Sequence, residues 1–200
     1  MTIRKGEEWG RRATVPASFF IAEDDHDAAS QPPQTPFALC RGDMYAALGH
    51  PRLPVHHHDC TIVPVDALVC HITFANNTEE ETRAFSHITV GSWWKGRHIV
   101  VSNSGFINAL NIAPRSHPND GEFDVVHLSA DMPMRQRFIA RRRAKTGTHI
   151  PHPDISIRRD TELHISRAAQ QERLSIDGVA VSQWKVISIS LEPDFWEVIL

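Results

Sequence analysis

From Cys60 onward the chain is a succession of short runs rich in valine, isoleucine, threonine and phenylalanine, separated by turn-forming residues: 60–65, 67–75, 86–90, 97–103, 107–112, 122–128, 154–159, 161–166, 172–177, 184–191 and 195–200. Runs of this length and composition predict β-strands. Several alternate cleanly, as in Val186-Ile187-Ser188-Ile189-Ser190-Leu191. Successive side chains of a strand point to opposite faces, so such a run has one apolar face that needs cover. The pattern predicts a mainly β, antiparallel fold, either a two-sheet sandwich or a partly closed barrel.

One stretch breaks the period of two. Asp131 to Lys145 reads as a capped helix, with Asp131 at its start, Pro133 in the first turn and Gly147 past its end. Met134 and Phe138 stand at helical spacing and are expected to face the sheet. Arg135, Arg137, Arg141, Arg142, Arg143 and Lys145 would then point mostly outward. Either this is a solvated basic face that also suits the helix C-terminus, or Arg141 and Arg142 bind an anionic headgroup or phosphate. Residues 1–59 differ from the remainder. Prolines at 16, 32, 33, 36, 51 and 54 predict a loop-rich N-terminal α/β extension to a β domain over 60–200. Within the extension, Val15 to Ala22 can supply a short strand, and Asp43 to Leu48, stopped by Gly49, a short helix. The acidic tract Glu23-Asp24-Asp25 is expected to stay in solvent.

Composition narrows the classes. Two hundred residues suffice for one domain with a core, or a domain with an appendage. No segment approaches the roughly 20 apolar residues of a membrane-spanning helix. A formal net charge of −3 excludes whole-surface attraction to nucleic acid and leaves at most peripheral, local contact with a membrane. The three cysteines, Cys40, Cys60 and Cys70, form no CxxC pair, so free thiols are expected. The charged N-terminus MTIRKGEEWGRR has no apolar stretch behind it, which points to a cytoplasmic protein without a secretory signal.

Most familiar chemistry is missing. Thirteen histidines include the run His56-His57-His58 before Asp59, but adjacent residues of an extended chain diverge, so a polar loop is expected there rather than a transition-metal site. The ten glycines include no GxGxxG and no GxxxxGK[ST], hence no self-contained nucleotide loop. Ser104-Gly105 lacks the preceding glycine of a nucleophile elbow.

The informative stretch is Ala113-Pro114-Arg115-Ser116-His117-Pro118-Asn119-Asp120-Gly121-Glu122-Phe123-Asp124-Val125. Asn-Asp-Gly between β runs is a hairpin signal. The longer string resembles the "AP…DDG…DV" segment in the C-terminal half of bacterial diacylglycerol kinase-like lipid kinases. Three further segments follow the same order: Gly96 to Ser104, Gly147-Thr148-His149-Ile150-Pro151-His152-Pro153, and Leu174-Ser175-Ile176-Asp177-Gly178. The last is similar to the family's "VDGE". Upstream, Phe37 to Gly49 resembles an eroded "GTxNDxARxLG", with Gly42, Asp43, Leu48 and Gly49 in place.

The resemblance implies a β-sandwich that follows a nucleotide-binding lobe. The family's "GGDGT" loop has no counterpart in this sequence, and fewer than 40 residues precede the eroded segment, too few for that lobe. In the family the glutamate of "DGE" looks like the general base; here Val179 stands in its place and cannot accept a proton. The expectation is therefore a non-catalytic, stand-alone relative that binds a lipid-like or anionic small molecule, or a protein partner, with homodimerisation on an uncovered apolar face as one form of partnership. The alternative is a kinase completed in trans by a nucleotide-binding subunit. Ligand-binding candidates are Asn103, Arg115, Asp177, Arg141 and Arg142, and Trp93-Trp94 are candidates for the uncovered face. For the "DDG" loop the resemblance implies Mg²⁺ at Asp120, with backbone carbonyls of His117 and Glu122 as further oxygen ligands.

Overall fold

The computed structural model describes residues 8–200. The N-terminal portion supplies β1 (Arg11–Thr14), β2 (Phe20–Ala22), α1 (Asp25–Ala29), β3 (Phe37–Leu39) and α2 (Asp43–Ala47). The following strands are β4 (Asp59–Phe74), β5 (Glu79–Ala84), β6 (His87–Gly91), β7 (His98–Ser102), β8 (Phe106–Ile107), β9 (Leu110–Asn111) and β10 (Phe123–Leu128). After α3 (Met134–Ala144) come β11 (Ile155–Asp160), β12 (Glu162–Ser166), β13 (Leu174–Ile176), β14 (Val179–Val181) and β15 (Trp184–Ile199).

Two sheets carry the fold, the sandwich of the two arrangements that the alternation leaves open. One has the order β1-β4-β15-β3-β2, with β12 on β15 and β5 on β4; the other has the order β11-β10-β7-β6-β13-β14. Pairing is antiparallel except where β3 lies parallel to β2 and β15. Leu68, Cys70, Ile72, Ile187 and Ile189 of the first sheet pack with Ile88, Val101, Phe123 and Leu174 of the second, which forms the sandwich core.

The N-terminal portion is not a separate body. Its strands extend the first sheet, and Phe37, Leu39 and Met44 pack with Val63, Val65, Trp196 and Val198 in a second core. Strands β4 and β15 are 16 residues each because they serve both cores in turn. The sequence pattern divides β4 at Asp66 and β15 at Glu192-Pro193-Asp194; at the latter the pairing with β4 does shift register, whereas β4 runs on through Asp66. Asp66 lies fully buried in mid-strand, where its carboxylate accepts hydrogen bonds from the backbone amides of Gly121 and Asp194 and from the Asn119 side chain. A buried carboxylate so supplied no longer breaks a strand.

Other expectations need correction. The acidic tract is not wholly in solvent: Asp24 caps α1 by accepting the Asp27 amide, and Asp25 is buried. The larger correction concerns α3, whose orientation is opposite to the expected one. Met134 and Phe138 are 57% and 63% exposed, whereas Arg137, Ala140 and Ala144 face inward. Arg137 is 2% exposed, and its guanidinium donates to carbonyl oxygens of Trp93 (2.8 Å), Met132 (3.0 Å), Gly96 (2.6 Å) and Ser129 (2.6 Å). Five N–H groups in a rigid fork match a ring of carbonyls that no aliphatic side chain could satisfy. Pro133 stands at the N-cap without a side-chain cap bond. Among the described residues no helix is long and apolar enough to cross a membrane.

Candidate functional site

The sequence places an Asp-Gly turn between two strands, and the structure makes it the hub of a buried polar cluster. Asp177 adopts a left-handed conformation (φ 44°), which an aspartate tolerates better than most residues, between β13 and β14. Its side chain does not serve the local turn. It crosses to the β5–β6 corner and accepts the backbone amides of Phe85 (2.6 Å), Ser86 (2.9 Å) and His87 (2.9 Å). The His87 imidazole in turn lies 3.4 Å from the Asp43 carboxylate, which also accepts the amides of Asn108 and Ala109 in the β8–β9 turn. Asp25 closes the cluster by accepting the amides of Asp43 and Met44 at the start of α2. Gly42 makes this approach possible, because a Cβ there would collide with the Asp25 carboxylate.

Asp25, Asp43 and His87 bring ligand atoms within 4.8 Å of one another, the one such group of metal-ligating side chains among the described residues. Two carboxylates and an imidazole form a donor set that divalent cations accept. Here the two carboxylates bond to backbone amides of two segments, 43–44 and 108–109, and Asp43 also faces His87, so the cluster joins the N-terminal portion to the sandwich.

Burial raises the Asp25 carboxyl to about 6, against the amides that lower it. Burial likewise raises Asp177 to about 7, opposed by the His87, Phe85 and Ser86 amides and assisted by the nearby Asp25 charge. Burial lowers His98 to about 4. These shifts fix the sign of the pH response. A carboxyl raised from 3.8 contributes stability that is complete below that value and is lost as pH rises through about 6 for Asp25 and about 7 for Asp177. A histidine lowered from 6.5 contributes stability above that value and loses it as pH falls toward 4. Urea midpoints are therefore expected to rise as pH falls from about 8 to about 6.5, the window in which Asp177 takes up its proton before His98 opposes it, with Asp177→Asn flattening this limb. A midpoint that climbs steadily to pH 8 in the unmodified protein would show these carboxyls to be ionised in the folded state.

The other candidates fall into distinct places. Asn103 is fully buried beside the cluster: its amide donates to the Ser86 carbonyl, and its side chain reaches the Asp66 and Pro118 carbonyls. Arg115 is exposed at the rim of a groove of about 450 Å³ with Pro114, Ile150, Pro151, Ile157 and Arg158. Arg141 and Arg142 lie on α3, and Arg141 stacks over Trp94 at 5.5 Å. The five residues therefore form no single site. In the "DDG"-like loop, His117 Nδ1 accepts the Asn119 amide, and the ring packs edge-on against Trp9. Asp120 and Glu122 both face the Arg159 guanidinium, at 3.2 and 3.4 Å, so an arginine supplies the positive charge beside them. Sequence reasoning missed Asp25 and His87. Neither belongs to a recognisable motif, and only the spacing of Asp43 within its segment hinted at the cluster.

Residues 80–200 match the family model of the YegS C-terminal NAD kinase beta sandwich-like domain. The chain belongs to that family. The match starts at β5 and runs through the second sheet, the Asn119-Asp120-Gly121 loop and the Asp177 turn, the segments that carry the resemblance to lipid kinases. No curated protein matches the sequence. Solved structures extend the likeness over more of the fold. A protein of Bacillus anthracis str. Sterne assigned as a diacylglycerol kinase superposes with a TM-score of 0.50 at 15% identity, over 87% of this chain and 71% of that one. A second structure under that assignment gives 0.52 at 13% identity, over 89% and 76%. Yeast NADH kinase complexed with NADH gives 0.53 at 9% identity, over 90% and 59%. At these identities the structures speak for the fold alone. Because the YegS C-terminal family shares a β-sandwich, the buried cluster sits on the family's scaffold, and its Asp25 and Asp43 come from outside the matched residues.

Proposed function

We propose that this member of the YegS C-terminal family is a non-catalytic binding protein for a lipid-like, anionic small molecule. The observation that carries the reading is the Asp177 carboxylate, sealed under the β5–β6 corner with three backbone amides bonded to its oxygens. A general base must reach the hydroxyl that it deprotonates, and this carboxylate is 8% exposed. The neighbouring position that faces solvent is Val179, 45% exposed and without a proton-accepting group. The sequence also contains no glycine-rich loop to cradle a triphosphate.

The ligand is assigned to the groove edged by Arg115. Its wall of Pro114, Ile150, Pro151 and Ile157 offers aliphatic contact, and Arg115 and Arg158 stand where they can meet a negative group. The volume, about 450 Å³, suits a small molecule with a short apolar portion. Arg159 is already committed to Asp120 and Glu122, and Arg158 pairs with Asp160, which makes Arg115 the groove cation most available for recognition.

The test combines calorimetry with ATP and Mg²⁺, a phosphoryl-transfer assay with diacylglycerol, and titration with a short-chain phosphatidic acid. We expect no ATP heat, no transfer, and phosphatidic acid binding that weakens by about tenfold in Arg115→Ala, the loss of one charge-assisted contact. Stoichiometric ATP binding or phosphoryl transfer overturns the non-catalytic reading. Binding unchanged in Arg115→Ala overturns the groove.

A further inference from the structure

The reversed orientation of α3 leaves an unusual surface. Large apolar side chains ordinarily turn toward the core, yet here Met134, Phe138 and Ile139 are 57%, 63% and 40% exposed, and Trp94 beside them is 41% exposed. The cause lies on the inner face, where Arg137 occupies the carbonyl ring and Ala140 and Ala144 permit close packing. Interleaved with the exposed apolar residues are Arg135 and Arg142, and the helix carries no acidic side chain, MRQRFIARRRA. Arg141 stacked over Trp94 ties the helix to the loop that carries the indole.

We propose that the outer face of α3, with Trp94, docks on the surface of an anionic phospholipid bilayer. The occupant is chosen by charge and shape together. A second copy of this chain would set two arginine-rich faces against each other, at a repulsive cost that no acidic residue of the helix offsets. The apolar residues stand on the convex side of a helix and line none of the grooves that would specify a protein segment. Protruding Phe138, Met134 and Trp94 can enter the headgroup–acyl boundary while Arg135 and Arg142 reach lipid phosphates, the arrangement of interfacial helices. The chain carries −3 overall, so the attraction is local to this face and is screened by salt. The proposal does not depend on the Arg115 groove, since the residues it uses are different ones.

The full-length protein is sedimented with vesicles of phosphatidylcholine alone, and of phosphatidylcholine with about one-third phosphatidylglycerol, at low and at high salt. Binding is expected only to the anionic vesicles and only at low salt. Each basic side chain near such a surface contributes about fivefold, so Arg135→Ala with Arg142→Ala should weaken partitioning by about thirtyfold. Phe138→Ser with Met134→Ser should weaken it by about tenfold or more, given the apolar surface withdrawn from the interface. Both pairs are exposed and should leave the circular-dichroism melt unchanged. Arg115→Ala should bind vesicles as the unmodified protein does, even if it loses phosphatidic acid in solution. Equal binding to neutral vesicles, or no loss in the Phe138/Met134 pair, overturns the proposal, as does vesicle binding lost in Arg115→Ala. Self-association abolished by the same pair would assign this face to a second copy and overturn it as well.

Discussion

Replacing Arg137 by methionine is expected to lower the stability of the protein by about 3–5 kcal/mol, since several buried backbone carbonyls lose their charged donor together. Methionine keeps most of the stem and its packing, so the loss reports the guanidinium. Without it the carbonyls of Trp93, Gly96 and Met132 lose the guanidinium, and that of Ser129 keeps only the Met132 amide, in a site that is 2% exposed at the arginine. Buried acceptors left unpaired cost about 1–3 kcal/mol each before relaxation, which admits water and recovers part of that. Arg137→Lys should recover less than half, since a single ammonium cannot span carbonyls contributed by two loops. Urea unfolding followed by tryptophan fluorescence measures both. A loss under about 1 kcal/mol for the methionine variant would mean that water replaces the guanidinium freely, and that α3 is not anchored as described.

Asp177→Ala is expected to cost about 2–4 kcal/mol, from three backbone amides at 85–87 that lose their acceptor and from alanine in a left-handed turn. Asp177→Asn should cost less: asparagine tolerates the backbone conformation and retains one carbonyl oxygen, although its amide group faces N–H donors. The order Ala, then Asn, then the unmodified protein in rising stability is the signature of a hydrogen-bond hub. Equal stability of all three would show that the β5–β6 corner is held by its packing instead. In the kinase completed in trans, Val179→Glu should raise phosphoryl transfer in the presence of a nucleotide-binding partner. With Asp177 withdrawn from solvent, the expected result is no transfer.

These two residues also mark where sequence reading succeeds and where it stops. Asp177 is legible as part of a turn, because Asp-Gly between apolar runs is a local signal. That its carboxylate would cross to residues about ninety positions earlier is not written in the turn. Arg137 is misread for a related reason. Helical periodicity assigns the inward face by summing hydrophobicity, and α3 has so little amphipathic contrast that Met134 and Phe138 tip the choice outwardly correct in pattern and wrong in space. The deciding partners are carbonyls of the Ser92–Gly96 and Ser129–Met132 segments, which carry no side-chain signature at all. Asp66 and Asp25 follow the same rule, since each is buried against amides donated by remote backbone.

Most strands of the second sheet, the mainly β antiparallel class and the membership in a kinase-related family could be read from residues that are near neighbours in the chain, whereas the polar strand β5 could not. Alternation and turn chemistry act over a few positions, and the family's segments are contiguous. Which charged groups are buried, which helix face is turned outward, and how the N-terminal portion joins the sandwich depended on the assembled fold. Backbone amides and carbonyls have the same chemistry at every position, so only their placement in space determines which carboxylate or guanidinium they can hold.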